Sequence, residues 1–354
     1  MNKLLKWLHK VFIDGLSGMA LGLFSTLIIG TIIQQVSSFI GGSIGDTIYV
    51  IGKLATIVTG AGIGCGVAYK FKESPLVVIS ASVAGMIGAY AGSISAGTIL
   101  VNKSIVLGGP GEPLGAFLAA YIAIEAGHLI SGKTGLDILL TPIISIASGA
   151  CVGLFVGPPI SQFMNTLGEI INWAAKEQPF IMGVVISVIM GMVLTLPISS
   201  AALGIALKLG GIAAGAATVG CCVNMVGFAV TSYRENKIGG LVAQGLGTSM
   251  LQVPNIVKKP VIWIPMILTS AILGPVSTML FSMENNEIGS GMGSAGLVGQ
   301  FQTYSVMTAT EAPIIVIIKI IIIQFVLPAI LCLGISELMR AKGWIKKGDL
   351  KLEL

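Results

Sequence analysis

The sequence predicts an all-helical bundle that crosses a membrane several times. Hydrophobic residues make up 54% of the 354 residues and charged residues only 10%, whereas average soluble domains contain about 25% charged residues. The mean hydropathy is +0.95. Because a soluble domain must cover its surface with polar groups, this composition excludes a soluble nucleotide-binding enzyme, a nucleic-acid binder and a disulfide-stabilised secreted domain.

Charged residues divide the chain into long apolar segments, and a helix needs about 20 apolar residues to cross a bilayer core. Two of these segments contain an embedded charge, Lys53 and Glu125. The first segment is too long for the apolar core of a signal peptide, so it counts as a span. We expect eight to ten full spans. In chain order the segments are residues 15–45, 47–69, 74–102, 114–130, 138–168, 178–207, 209–233, 260–283 and 320–336.

Basic residues predict the orientation of these spans. They concentrate near both chain ends and in the connectors around Lys133, Arg234 and Lys258, whereas the loop 283–293 is acidic and rich in glycine. Cytoplasmic loops carry an excess of Lys and Arg. The pattern predicts a multi-pass protein of the bacterial plasma membrane, in contact with the lipid bilayer, with both termini in the cytoplasm. Lys208 and Arg234 flank a single segment, which leaves one of them on the outer side.

Two segments, residues 237–259 and 290–313, are too rich in Gly, Ser, Thr and Gln for helices that face lipid. Backbone without regular helical hydrogen bonds is tolerated at membrane depth only where protein or a water-filled cavity surrounds it. We interpret both segments as re-entrant or broken-helix hairpins that line a polar site. The alternative is a closely packed pair of glycine-rich helices.

The first hairpin supplies the main candidate ligands of a neutral solute. Amide and hydroxyl side chains offer donors and acceptors without charge, which suits the hydroxyl groups of a solute. The alternative is a set of hydrogen bonds that hold helices together. The candidate residues are Gln244, Thr248, Ser249, Gln252 and Asn255.

Glu311 is the main ionisable candidate, because charged groups at membrane depth usually face a pathway. It stands in the sequence TATEAP, directly before an apolar helix, with Thr310 beside it and Gln302 on the same hairpin. A carboxylate at this position equally suits a helix cap. Lys319, about two turns further on, is able to neutralise it. A weaker interpretation makes Glu311 the proton or cation site of an ion or organic-anion carrier.

No catalytic, metal or cofactor site is predicted. The five cysteines lie in apolar segments without metal-ligand spacing, and the sequence contains no hydrolytic triad, phosphate-binding loop or dinucleotide fingerprint.

Residues 139–203 carry a family resemblance, in the paired prolines of VGPPI, the later span MGVVISVIMGM and the small polar stretch after it. Together they resemble subunit IIC (EIIC) of the bacterial phosphotransferase system, a sugar permease, and its fructose-like members in particular. The loop GTSMLQVPN and the end GWIKKGDLKLEL are similar to the PfoR-type branch of permease-like proteins and toxin regulators.

This resemblance implies a homodimer, a carbohydrate as the small polar solute, and a separate cytoplasmic IIB protein as phosphoryl donor. The family loop G-I-T-E-x-A-I-P aligns with residues 247–254, which places Met250 at the position of the family's glutamate; a second register places Glu311 there. We therefore expect binding and translocation without efficient phosphorylation. The alternative is a non-transporting membrane sensor that signals through a cytoplasmic partner.

The domain organisation follows from the same resemblance. Residues 1–354 are expected to form one membrane-embedded domain, with a scaffold and dimerisation half at about 1–180, a transport half at 181–340 that contains both hairpins, and a cytoplasmic tail at 341–354.

Overall fold

The computed structural model describes Trp7 and residues 10–352. The basic residues before Lys10 and the last two residues of the expected tail lie outside this part. Within it the regular secondary structure is helical, apart from one hairpin of strands β1 (Leu100–Val101) and β2 (Ser104–Ile105). The predicted all-helical class is confirmed. The chain forms two compact units, Met1–Met164 and Asn165–Glu353.

The first unit begins with a π-helical segment (Lys10–Gly15), and a second one (Phe24–Ile28) interrupts its first long helix. The helices are α1 (Leu16–Leu23), α2 (Ile29–Ile40), α3 (Gly42–Ile57), α4 (Thr59–Lys70), α5 (Pro75–Ala89), α6 (Ala91–Ser95), α7 (Pro113–Ile130) and α8 (Asp137–Ala174).

The second unit contains more broken helices than the first. Short π-helical or 3-10 segments occur at Ala243–Gly247, Ser249–Gln252, Pro260–Trp263, Val276–Leu280, Ala295–Leu297 and Ile321–Val326. The helices are α9 (Pro179–Thr195), α10 (Ser200–Ala206), α11 (Gly211–Thr231), α12 (Tyr233–Val242), α13 (Val253–Lys258), α14 (Ile264–Pro275), α15 (Glu287–Ser290), α16 (Val298–Met307), α17 (Pro313–Ile320) and α18 (Leu327–Ala341).

Six continuous helical stretches in the described part are long and apolar enough to cross a membrane, or seven if α3 and α4, which meet at 52°, form one span. This number is below the eight to ten expected from the sequence. Two apolar segments contain shorter helices, α5 with 15 residues and α9 with 17. α9 ends before Pro197, because a proline disfavours helical backbone in the residue before it.

Helix α11 is the central helix of the second unit, with 89% of its most apolar window buried. It packs closely on α9 at glycine: a Cβ placed on Gly220 would lie 1.9 Å from the backbone oxygen of Ser187. Gly183 of α9 faces Gly274 of α14 in the same way. Small residues allow this close approach of helix backbones in membranes. The three helices therefore form a rigid frame for the interrupted segments.

Candidate functional site

The first interrupted segment, residues 237–259, does not form one continuous helix. The break lies at Thr248, whose backbone is extended (φ −158°, ψ 141°) between the π-helical turn Ala243–Gly247 and the 3-10 turn Ser249–Gln252. The Thr248 hydroxyl accepts a hydrogen bond from the backbone N–H of Met250 at 3.1 Å. Thr248 is therefore an N-cap, which satisfies a donor that the break leaves free.

Three side chains around this break, Gln244, Gln252 and Asn255, form what we call the amide cluster. Gln252 Nε2 donates to Gln244 Oε1 at 2.8 Å, and Asn255 Nδ2 donates to Gln252 Oε1 at 2.8 Å. Gln244 Nε2 in turn donates to the hydroxyl of Ser232 at 2.8 Å. Gln244 and Gln252 are fully buried, and Asn255 is 7% exposed. The cluster is thus an uncharged hydrogen-bonding site inside the second unit.

The chain's C-terminal residues lie against the amide cluster. The carbonyl of Leu350 accepts a hydrogen bond from Gln252 Nε2 at 3.0 Å, and the carbonyl of Lys351 accepts one from Asn255 Nδ2 at 2.9 Å. The side chain of Leu350 is 1% exposed, as part of the apolar core of this unit. The segment expected to be a cytoplasmic tail therefore lies against the second unit up to Leu352, whose N–H donates to Asn236 Oδ1. Ile345 and Leu350 are buried, and most of its other residues are exposed.

Ion pairs hold the same region. Lys259 Nζ lies 2.5 Å from Asp349 Oδ2, and Arg340 pairs with Glu235 at 3.1 Å. Burial alone would raise the pKa of the Asp349 carboxyl, but the hydrogen bonds and charges of Lys259 and Lys346 lower that pKa below its usual value. A cavity of about 300 Å³ borders the pair and is lined by three lysines, one aspartate and two uncharged residues: Asn255, Lys258, Lys259, Gly348, Asp349 and Lys351.

Ser249, the remaining predicted ligand of this segment, belongs to a separate set of buried contacts. Its hydroxyl lies 2.8 Å from that of Thr195, which donates to Asn224 Oδ1 at 3.2 Å. Trp263 Nε1 donates to the same Asn224 oxygen at 2.8 Å. Ser249 therefore ties the break to α9 and α11, the interhelical role that the sequence left as its alternative.

The second interrupted segment, residues 290–313, breaks twice. Leu297 has a left-handed backbone (φ 60°) directly before α16, and α16 ends at Met307, before α17 begins at Pro313. The two interrupted segments touch, since the Ser294 hydroxyl donates to the carbonyl of Gly245 at 2.6 Å. The segments that the sequence singled out as polar therefore meet in the same unit.

A second polar cluster lies beside this segment. Asn285 Nδ2 is within 2.7 Å of the Thr218 hydroxyl and 3.0 Å of the Thr303 hydroxyl. Gln324 Nε2 donates to Thr303 at 3.0 Å, and Gln300 Nε2 donates to Gln324 Oε1 at 2.9 Å. All five side chains are buried. Among the described residues, Gln300 Oε1 has no hydrogen-bond partner.

The remaining predicted ligands have other partners. Glu311 Oε1 lies 2.6 Å from Lys319 Nζ, so the neutralising contact considered from the sequence is present. The N-cap residue of α17 is Ala312, and no side-chain hydrogen bond caps this helix, which argues against Glu311 as its cap. Thr310 donates to the carbonyl of Met307 at 3.3 Å. Gln302 accepts from Asn286 Nδ2 at 2.7 Å.

The structure thus joins Gln244, Gln252 and Asn255 in one network, whereas Glu311 is engaged with Lys319. Sequence reasoning missed Asn224 and Gln324. The available signal was an amide side chain within an otherwise apolar helix, which is costly unless it is hydrogen-bonded. It also missed the tail, whose apolar Ile345 and Leu350 indicated a packed segment. The part of the chain that the structure describes contains no group of three or more His, Cys, Asp or Glu arranged to hold a metal ion.

The chemistry available at the amide cluster is hydrogen bonding rather than bond cleavage. Its amides both donate and accept, at a site without an ionised group of its own. Comparison with known proteins agrees with a transport-type molecule: the family model described as "Phosphotransferase system, EIIC" matches residues 13–352. A search of curated proteins finds no match.

Proposed function

The chain belongs to the EIIC family of the phosphotransferase system, and from this premise we propose that it binds a small carbohydrate at the amide cluster and moves it inward by alternating access. The observation that carries the proposal is the buried network of Gln244, Gln252 and Asn255 on an interrupted helix. Hydroxyl groups of a sugar can replace each of these amide–amide hydrogen bonds without a change in charge. Interrupted helices at membrane depth commonly form the solute sites of transporters.

The finer assignments belong to the same proposal. They are a fructose-like, PfoR-type branch of the family, a homodimer, a separate IIB partner at the cytoplasmic face, and a transport half that contains both interrupted segments. Met250, aligned with the family's glutamate, is 9% exposed in the 3-10 turn beside the cluster. A thioether cannot accept strong hydrogen bonds from sugar hydroxyls. This supports translocation that does not depend strictly on phosphorylation.

The proposed orientation places both termini in the cytoplasm of a bacterial cell. Contacts in the second unit support it: Arg234 pairs with Glu337 and Lys259 with Asp349, so the basic connectors adjoin the basic end of the chain. The other end of α11 is held against the acidic loop, through the hydrogen bond from Asn285 N–H to the carbonyl of Gly211. In this proposed orientation Lys208 is on the outer side with that loop, as an exception to the excess of basic residues in cytoplasmic loops.

The test is uptake of radiolabelled hexoses and hexitols into proteoliposomes, with and without phosphoenolpyruvate and the general phosphotransfer proteins. We expect saturable uptake of at least one sugar in both conditions. Gln252→Leu removes the amide at nearly constant side-chain size. It should weaken binding of that sugar about tenfold, the effect of one lost hydrogen bond. Gln34→Leu, in the first unit, is the matched control and should leave uptake unchanged.

Two further outcomes test whether Glu311 contacts the sugar and whether the protein transports a sugar. Glu311→Gln should also weaken uptake if the carboxylate contacts the sugar; unchanged uptake removes Glu311 from the solute site. Absence of saturable uptake in every arm, with no sugar bound to the purified protein, contradicts the proposal.

A sensor is the second candidate, and one specific observation favours it. The cluster's amide donors are bonded to Leu350 and Lys351, so a ligand that displaces these residues would change the surface that a cytoplasmic partner meets. Sugar binding without uptake, together with a ligand-dependent change in protection of residues 342–352, would support the sensor over the permease.

A further inference from the structure

The segment of residues 345–352, which we call the tail latch, lies across the amide cluster. We propose that the tail latch holds the protein in a closed, self-inhibited state, in which its backbone carbonyls take the hydrogen bonds that the amide cluster donates to a solute. This inference rests on the proposed function, because it takes the amide cluster as the solute site.

The tail latch occupies hydrogen-bond donors of the amide cluster. A primary amide has two N–H groups. Those of Gln252 bond to Gln244 Oε1 and to the Leu350 carbonyl, and those of Asn255 bond to Gln252 Oε1 and to the Lys351 carbonyl. A carbonyl oxygen and a sugar hydroxyl accept the same kind of hydrogen bond. A sugar therefore reaches these donors only after the latch has moved away.

Hydrogen bonds and buried apolar side chains hold the tail latch in one register. Asn236 bonds to it on both sides, since Asn236 Nδ2 donates to the Leu350 carbonyl at 2.8 Å and Asn236 Oδ1 accepts from Leu352 N–H at 2.9 Å. The side chains of Ile345 and Leu350 are 2% and 1% exposed. These contacts fix the carbonyls that face the cluster, so the closed state is a specific one.

The tail latch can move away from the amide cluster without unfolding a helix. It follows the end of α18, and the chain turns at Gly343 (φ 72°) and Gly348 (φ 97°), where glycine adopts the left-handed backbone without strain. Its ion pair, Asp349 with Lys259, borders the cavity of about 300 Å³, and its side chains are 20% and 30% exposed. Water can therefore compete for this pair, and its loss removes one of the contacts that hold the latch.

The experiment measures access to the cluster in the full chain in lipid nanodiscs. Gln252→Cys is introduced into a chain in which Cys65 and Cys151, the two exposed native cysteines, are replaced by serine. It removes the bond to Leu350 equally in every arm, so the comparison measures the remaining latch contacts, those of Asn255 and Asn236. Labelling by a water-soluble maleimide is compared among this parent, a chain that ends after Lys347, and Lys259→Gln. Lys347→Gln is the matched control, because it removes one positive charge from an exposed tail residue whose side chain makes no contact used in this argument.

We expect the shortened chain to label about tenfold faster than the parent, the factor expected from one or two lost hydrogen bonds. Lys259→Gln should fall between them, and Lys347→Gln should match the parent. Equal rates in the parent, the shortened chain and Lys259→Gln overturn the latch. If the shortened chain does not fold, Asn236→Ala decides in its place: it removes two hydrogen bonds and keeps every tail residue, and unchanged labelling again overturns the latch.

Sugar uptake by the same variants, with Gln252 restored, separates the latch from the proposed function. Faster uptake by the shortened chain supports both. Faster labelling with no sugar taken up or bound by any variant supports the latch as a cover and contradicts the carbohydrate site. Saturable uptake whose rate is the same in the full and shortened chains overturns the latch and leaves the proposed function intact.

Discussion

Gly220→Ala tests the close contact between α9 and α11 that supports the site. Alanine improves helix propensity by about 1 kcal/mol relative to glycine. At position 220, however, the new Cβ would lie 1.9 Å from the backbone oxygen of Ser187. A backbone atom cannot rotate away, so the two helices must separate, and overpacking of this kind costs about 1–3 kcal/mol or more. Because the contact is with backbone and far shorter than a van der Waals distance, the upper end of this range applies, and we expect a net loss of about 2 kcal/mol in the free energy of unfolding.

The assay is thermal unfolding in detergent, followed by tryptophan fluorescence. Gly334→Ala is the matched control, because Gly334 lies exposed in α18 and a Cβ there meets no atom within 4 Å. The free energy of unfolding of the control should rise by about 0.5–1 kcal/mol, because alanine has the higher helix propensity. The reasoning is refuted if Gly220→Ala melts as high as Gly334→Ala, since the backbones of α9 and α11 would then not be in contact at this position.

Three further predictions concern the region around the tail. Met250→Glu should make sugar uptake more dependent on phosphoenolpyruvate in proteoliposomes. An unchanged ratio of uptake with and without phosphoenolpyruvate contradicts the alignment of Met250 with the family's glutamate. Arg340→Met should lower the free energy of unfolding by about 3–5 kcal/mol, because it leaves Glu235, whose side chain is 4% exposed, without its partner. Thermal melts should recover when Glu235→Gln is added. The pKa of Asp349 is lowered on folding, so its contribution to stability is complete above its usual value of 3.8 and is lost as the pH falls through the lower folded-state value. Melting temperatures of Asp349→Asn should lack this component of the acid dependence, and an identical pH profile in both proteins argues against the ion pair with Lys259.

The sequence predicted the helical class and the positions of the interruptions, because both depend on local composition. Continuous apolar segments of about 20 residues predict membrane-spanning helices, and the glycine-rich stretches around Thr248 and Ser294 cannot form good lipid-facing helices. The span count was less predictable. A stretch such as residues 178–207 is apolar throughout, yet the helix ends at Thr195 because of Pro197.

The site was predictable in its residue types but not in its partners. Gln244 and Gln252 stand eight positions apart, and their contact depends on the turns between them. The pairing of Gln252 with Leu350 joins residues 98 positions apart, and no local pattern specifies it. Asn285 and Gln324 converge on Thr303 from different elements. Such convergence is set by the packing of helices, which composition does not encode.

The hydrogen bonds from the amide cluster to Leu350 and Lys351 have a consequence for synthesis of the protein in the cell. A ribosome makes the segment that contains Gln252 and Asn255 well before the residues whose carbonyls complete their hydrogen bonds, and domains generally fold from the N-terminal end as synthesis proceeds. The nascent chain therefore enters the bilayer with these amides incompletely bonded. A stop codon at position 348 leaves the described helices up to α18 intact but should expose this defect to the proteases that survey new membrane proteins.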